Sequence, residues 1–327
     1  MDFMKKNIVL MIIISLILSG CKINAPQTVH SSDGFYFNTF VSVKLYGCGS
    51  DEIAREAIEL CGYYEKIFSR TLNTSLLYTS NEENGFDVDG SEAEHLNAII
   101  GESVRYSKLT KGGLDLTIEP LSDLWNFKER TEPPSIEEIE KARALVDYTK
   151  LDIGAQRIEF NGAKIDCGAV AKGYVADRIK EFLLEEGVDS AIINLGGNIL
   201  CIGNKPLGED FVIGVKKPYS EDVLLGLKIN DLSVVTSGVY ERYFESEGIK
   251  YHHILDPKTG KPCENGLLSV TIIAESSFEC DALSTGCFVM GLDDAMELIN
   301  GLDNVYGIFI DEDYKIYYTD GAEEFVN

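Results

Sequence analysis

Part-way along the chain the apolar residues change period. Up to Glu186 they recur mainly at helical spacing, whereas beyond Ala191 they alternate or run β-branched in short segments. On the helical side, Ser50-Asp51 caps a periodic stretch through Phe68, and a second stretch runs from Ser91 to Leu109. Pro133-Pro134-Ser135 opens a third, with Ile136, Ile139, Ala142 and Leu145 on one face, stopping near Asp147. Ala169 to Glu186 carries Val175, Ile179, Phe182 and Leu183 on one face and ends at Gly187. Phe35 to Tyr46 reads as one strand, and Ile158 to Ile165 as a hairpin turning at Asn161-Gly162. Strand segments follow around Ala191, Phe211, Val223, Val234, Tyr251, Val270, Tyr306 and Lys315, with helices near Asp281 and from Asp293. Helices beside hairpin-length strands predict an α+β fold, mainly antiparallel sheets with flanking helices, rather than a doubly wound parallel sheet.

The N-terminus is set apart from that pattern. Lys5 and Lys6 precede an apolar run of eleven residues, Ile8 to Leu18, and Leu18-Ser19-Gly20 places small residues before Cys21. The run is short against the ~20 residues a membrane-spanning helix needs. The tetrapeptide Leu18-Ser19-Gly20-Cys21 resembles a bacterial lipobox. That resemblance implies a signal over 1–20, a lipid on Cys21, and a protein anchored to the cell membrane facing the extracytoplasmic side. Residues 21–33 are polar, include Pro26 and read as a tether; 34–327 reads as one domain, without a further linker or repeat.

The formal net charge of −25 argues against nucleic-acid binding, which needs clustered Lys and Arg to displace phosphate counterions. It also argues against adhesion to anionic lipid by charge, so attachment would rest on Cys21. Eight cysteines less Cys21 leave seven, an odd number without a CxxC pair, so neither a complete disulfide framework nor a zinc knuckle is indicated, and most are expected to be buried thiols.

Four segments are richer in Gly, Asp, Ser and Thr than packing requires. Asp166-Cys167-Gly168-Ala169-Val170-Ala171-Lys172-Gly173 lies where a strand gives way to a helix; backbone amides there, with Lys172 one turn inside, suit a phosphate or pyrophosphate, although a plain turn fits as well. Asn194-Leu195-Gly196-Gly197-Asn198 permits close approach to a ligand or a β-bulge, and it is not a GxGxxG fingerprint. In Tyr251 to Gly260, only one of His252 and His253 can face a site if both lie on a strand, and Asp256-Pro257 makes a tight turn. In Glu279 to Gly286, Asp281 and Thr285 are i and i+4 neighbours, which suits a hard divalent cation, while an N-cap role is the alternative for Asp281.

Taken in order, these segments together with Thr236 to Phe244 (Thr-Ser-Gly-x-Tyr-Glu-Arg-Tyr-Phe) resemble the ApbE family of FAD:protein FMN transferases. Gly112-Gly113-Leu114-Asp115-Leu116-Thr117 through Leu121, followed by Leu124-Trp125, is similar to a further family segment, and Phe68-Ser69-Arg70 with Ser75 to its first flavin-side loop. The resemblance implies a T-fold-like α+β architecture in which residues 34–327 form the catalytic domain. It implies FAD as substrate, with Asp166 and Lys172 in contact with it and Gly113, Leu114, Asp115 and the backbone at Ile254 lining the site. Phe37 and Thr71 fall where the family has flavin-side residues, Phe37-Asn38-Thr39 replacing a Met-Gly-Thr and Thr71 replacing an aromatic. The Ala169 carbonyl, the Asp281 carboxylate and the Thr285 hydroxyl would surround Mg²⁺, His253 would face the reacting phosphate, and His253 or Asp281 would accept the proton. The implied partner is an acceptor flavoprotein, such as a subunit of a Na⁺-translocating NADH:quinone reductase or an Rnf-type complex.

Overall fold

The computed structural model describes residues 28–327. The signal-like segment, Cys21 and the first part of the tether lie outside the described residues. The body is built on an eight-stranded sheet in which every neighbouring pair is antiparallel. In spatial order its strands are β1 (Val29–Tyr36), β2 (Thr39–Tyr46), β6 (Ala191–Leu195), β7 (Asn198–Ile202), β10 (Ser233–Gly238), β13 (Leu267–Ala274), β14 (Tyr306–Asp311) and β15 (Ile316–Tyr318). The residues between contribute small sheets: β3 (Gly85–Asp87) with β5 (Arg157–Glu159) and β4 (Asp152–Ile153), β8 (Phe211–Lys216) with β9 (Val223–Ile229), and β11 (Tyr243–Ser246) with β12 (Ile249–His252).

Alternation along each main strand splits the core in two. Val41, Val43, Leu45, Ile193 and Leu195 face the helices, while Cys201, Val234, Ile273, Ile308 and Ile310 face the β8–β9 hairpin through Phe211, Ile213 and Leu227. The helical layer consists of α1 (Asp51–Phe68), α2 (Leu76–Glu83), α3 (Ser91–Leu109), α4 (Glu119–Trp125), α5 (Ile136–Arg143), α6 (Ala171–Glu185), α7 (Ser277–Met290) and α8 (Leu292–Asn300). The side chain of Ser50 caps α1 by accepting from the Ile53 amide, and Ser135 with Glu138 forms a capping box on α5. Among the described residues no helix is long and apolar enough to cross a membrane.

Four local readings are corrected. Phe35 to Tyr46 is not one strand but a hairpin, because Phe37 and Asn38 sit at φ 52° and 57° and reverse the chain without a glycine to announce it. Its first strand starts at Val29, so five residues assigned to the tether belong to the sheet. The chain does turn at Asn161-Gly162, with φ 51° and 82°, but the two flanks do not pair; Ile165 bonds instead to the side chain of Asn81 through both its amide and its carbonyl. The helix opened by Ser135 ends at Arg143, one turn early.

Packing of α6 against α7 places the functional segments. A Cβ on Gly173 would lie 2.4 Å from the Ser277 carbonyl oxygen, so only glycine permits this approach. Asp177 of α6 accepts from Ser276 Oγ, Ser277 N and Phe278 N, capping α7 from outside. The seven cysteines of the described residues are free thiols; six are buried and Cys48 is half-exposed. Burial pushes Cys61, Cys201 and Cys287 up to about 12 and Cys263 up to about 11.

Candidate active site

Asp281 is the fifth residue of α7, whose own N-cap is Ser276, so the N-cap alternative for Asp281 is excluded. Its carboxylate, 3 % exposed, reaches across to the start of α6. Oδ2 accepts from the Gly173 amide at 2.9 Å, and Lys172 Nζ lies 3.3 and 3.4 Å from the two oxygens. Burial raises the Asp281 pKa while Lys172 and the Gly173 amide oppose that shift.

This contact alters the first turn of α6. Helical geometry would direct the Gly173 amide at the Ala169 carbonyl four residues back, yet that amide is taken by Asp281. Among the described residues no hydrogen bond reaches the Ala169 carbonyl. The cradle of free amides expected here is mostly consumed locally: Gly168 N bonds Asp166 Oδ1, and Val170 N and Ala171 N bond the Cys167 carbonyl. One turn beyond Asp281, Thr285 Oγ1 lies 3.1 Å from Ser237 Oγ, which also meets Ser284 Oγ at 2.9 Å.

The two histidines face different surroundings, as the strand argument requires. His252 is buried, with Nε2 3.0 Å from the Cys263 carbonyl and its ring edge-on to Phe288. His253 follows the end of β12 and is only half-buried; its Nδ1 lies 3.2 Å from the Arg242 carbonyl. A carbonyl only accepts, so Nδ1 carries the proton and Nε2 keeps its lone pair. Loss of solvation, then the neighbouring Arg242 and His252 and last Lys172, lower the His253 pKa to about 3, so the ring is neutral.

The remaining expected residues form the border. A Cβ on Gly113 would lie 2.6 Å from the Gly286 carbonyl oxygen, which presses Gly113-Leu114 onto α7 beside Thr285. Leu114 and Ile254 are buried, and the Ile254 carbonyl is engaged by Cys263 N. Asp115 has both oxygens occupied, Oδ1 by Thr117 N and Oγ1 and Oδ2 by Tyr148 N, so here it holds its own loop. Asp166 Oδ2 pairs with Arg70 Nε at 3.0 Å, tying the loop that carries Thr71 to the start of the phosphate-type segment. The Phe37 amide donates to Glu65 Oε1 at 2.7 Å. An open depression of about 410 Å³ is lined by Tyr36, Glu65, Lys66 and Leu72 among others; Phe37 and Thr71 are chain neighbours of two of these residues but do not line it.

The structure thus gathers Lys172, Asp281, Thr285 and the Ala169 carbonyl at the α6–α7 contact and joins them to the Phe37–Thr71 side through Arg70–Asp166. Reading the sequence missed roles for Arg70, Asp177, Asn198 and Ser237. Arg70, Asn198 and Ser237 lie inside functional segments singled out above and Asp177 in the helix read from Ala169 to Glu186, and the polar residue type was the available signal. Asn194-Leu195-Gly196-Gly197-Asn198 is a two-residue hairpin turn rather than a bulge, with Gly196 and Gly197 at φ 62° and 91°.

The family model described as "ApbE family" matches residues 37–309. The protein named FAD:protein FMN transferase of Klebsiella pneumoniae strain 342 is 31 % identical over 309 residues, covering 89 % of this chain and 92 % of that protein. Its namesake from Treponema pallidum strain Nichols is 27 % identical over 334 residues, covering 93 % and 90 %. Among solved structures, the ApbE protein of Thermotoga maritima superposes with a TM-score of 0.82 at 32 % identity, and the flavin transferase ApbE of Vibrio cholerae with 0.82 at 25 %; each covers 92 % of this chain and 100 % of the other. Its relatives over most of its length are transferases by name, its α+β fold is theirs, and the chain belongs to the ApbE family.

Proposed function

We propose that this protein transfers the FMN half of FAD to a threonine or serine hydroxyl of an acceptor flavoprotein. The observation that carries the reading is the convergence of Lys172, Asp281, Thr285, the unengaged Ala169 carbonyl and the neutral His253 around the α6–α7 contact. The acceptor hydroxyl oxygen forms a bond to the riboflavin-side phosphorus, the bond from that phosphorus to the AMP oxygen breaks, and AMP leaves. The hydroxyl proton goes to His253 Nε2 or to the Asp281 carboxylate, whose pKa burial raises. Lys172, turned from Asp281 toward the pyrophosphate, offsets charge gathering on its oxygens.

The donor set fits Mg²⁺. Asp281, Thr285 and the Ala169 carbonyl offer only hard oxygens, and magnesium is commonly held by one or two carboxylates completed by substrate phosphates. Asp281 is the one carboxylate of this donor set, so the ion would also call for the substrate's oxygens. When bound, the ion polarises the pyrophosphate.

The acceptor flavoprotein, of the kind found in Na⁺-translocating NADH:quinone reductase or Rnf-type complexes, and attachment at the outer side of the cell membrane through Cys21 belong to the same reading. Incubation with FAD and Mg²⁺, with and without an acceptor domain, tests it by AMP release and by the acceptor mass. A mass gain of one FMN with equimolar AMP is expected. Equal AMP release without the acceptor makes the protein a FAD pyrophosphatase, and binding without AMP makes it a flavin-binding lipoprotein. A Cys21→Ala variant is expected to leave the membrane fraction; if it stays as firmly as the parent, the anchor is elsewhere.

A further inference from the structure

Asn198 opens β7 directly after the Gly196-Gly197 turn and is 1 % exposed. Its Oδ1 accepts from Ser277 Oγ at 2.7 Å, while its Nδ2 is buried with no hydrogen-bond partner. Ser277 and Asp281 are i and i+4 on α7, so Asn198 packs against the turn that carries the Asp281 carboxylate. Only this orientation of the amide is reasonable, since the reverse would turn its oxygen on the carboxylate. A buried, unpaired NH₂ is destabilising, and a core asparagine kept for packing alone would have both ends satisfied.

We infer that Asn198 is a positioning residue for the Asp281 carboxylate, needed when Lys172 turns away; this rests on the flavin-transfer reading. In the arrangement described, Lys172 Nζ is the carboxylate's charged partner at 3.3 Å. An ammonium drawn onto a pyrophosphate loosens its hold on the carboxylate, already long at 3.3 and 3.4 Å. Once it leaves, the Gly173 amide holds one oxygen, and the Asn198 NH₂ is the buried donor in place to hold the carboxylate's orientation. The Asn-Leu-Gly-Gly-Asn segment then divides its labour. Asn194 Oδ1 accepts from Gly197 N at 2.9 Å and shapes the turn, and Asn198 reaches inward. The turn itself packs closely on β2, since a Cβ on Gly196 would lie 2.4 Å from the Thr39 side chain.

Asn198→Leu keeps the volume and removes the donor, and Ser277→Ala removes only the contact on the other side of the amide. With Asn198→Leu, the Mg²⁺ concentration for half-maximal FMN transfer, and for the thermal upshift produced by MgCl₂ with FAD, is expected to rise about tenfold, the scale of a hydrogen bond to a charged group. FAD affinity without Mg²⁺ should stay within twofold, and Ser277→Ala should leave the Mg²⁺ dependence unchanged. In metal-free denaturant melts, Asn198→Leu should lower the midpoint more in a Lys172→Met background than in the parent. If Asn198→Leu proves insoluble, Asn198→Ala takes its place in each assay. Unchanged Mg²⁺ dependence, an equal effect of Ser277→Ala, or additive melts would overturn the inference. If the parent releases no AMP from FAD, the transfer reading fails, while the melts still decide whether Asn198 supports Asp281.

Discussion

Asp177 and Asp281 each cap the other's helix. Asp177, on α6, accepts from the first amides of α7, and Asp281, on α7, accepts from the Gly173 amide in the first turn of α6. The residue pairs 173 with 281 and 177 with 277 show the helices antiparallel at this contact, so two carboxylates lock the helix starts against each other. Asp177→Ala would leave the Ser277 and Phe278 amides unpaired in the interior. The expected destabilisation is about 3 kcal/mol. Calorimetry should show a Tm lower by roughly 4–6 °C for a chain of this size. A change under 2 °C would mean that solvent replaces the carboxylate.

Asp281→Asn is the converse case. Asparagine keeps an oxygen for the Gly173 amide, so the fold should survive with a Tm within a few degrees of the parent. FMN transfer should fall at least a hundredfold at limiting Mg²⁺, because a hard cation needs an anionic oxygen. Thr285→Ala should lose less and recover partly in high Mg²⁺, by mass action. A folded Asp281→Asn protein with parental AMP release would remove Asp281 from the centre of the chemistry.

His253 supplies a pH signature. Its folded pKa lies far below the ordinary histidine value, first from burial and then from Arg242, so above pH 6.5 it is neutral in both states and contributes nothing pH-dependent. As the pH falls through 6.5 the unfolded chain takes up a proton that the folded chain refuses, and stability declines down to the folded value of about 3. The stability of the parent relative to His253→Gln should therefore drop by up to about 1.4 kcal/mol per pH unit below 6.5, read by denaturant melts from pH 7 to 5. The carboxylates whose pKa values burial raises, Asp115, Glu119, Asp177 and Asp281, act in the opposite sense, and the difference between the two proteins cancels them. A flat difference would mean that His253 titrates as in the unfolded chain.

Truncation separates the tether from the sheet. A chain beginning at residue 34 loses the pairs from Val29↔Tyr46 to Asp33↔Ser42 and the His30–Asp51 contact at 2.8 Å. Its stability should fall by about 2 kcal/mol relative to a chain beginning at residue 28, from five lost cross-strand pairs. FAD affinity in a fluorescence titration should match between the two, since residues 29–33 hold none of the candidate site's residues. Loss of FAD binding in the shorter chain alone would place the first part of β1 in the site.

The expected functional segments meet because sequence carries local chemistry well. Lys172 inside a helix start and Asp281 four residues before Thr285 were legible from spacing, as were the antiparallel sheets from hairpin-length strands. The hairpin at Phe37-Asn38 was not, because alternation continues through a turn without glycine or proline, and its positive φ angles are imposed by tertiary pairing. Arg70–Asp166 and Asp177–Ser277 join residues far apart in the chain and leave no periodic trace. The family resemblance named the ligands of the proposed ion. That the Ala169 carbonyl is freed because Asp281 takes its amide partner could be learned only from the packed helices.

The free thiols make oxidation a matter of timing. Among the described residues, Cys61, Cys167, Cys201, Cys263, Cys280 and Cys287 are sealed in the interior and held protonated by it, and only Cys48 is within reach of a reagent. A chain that closes before it meets an oxidant keeps its sulfur chemistry silent. One that lingers open exposes six more thiolate sources at once and is open to crosslinking into forms that cannot close. A short maleimide pulse on a chain of residues 28–327 would then sort a population by its past, with one adduct on molecules that stayed shut and up to seven on those that opened.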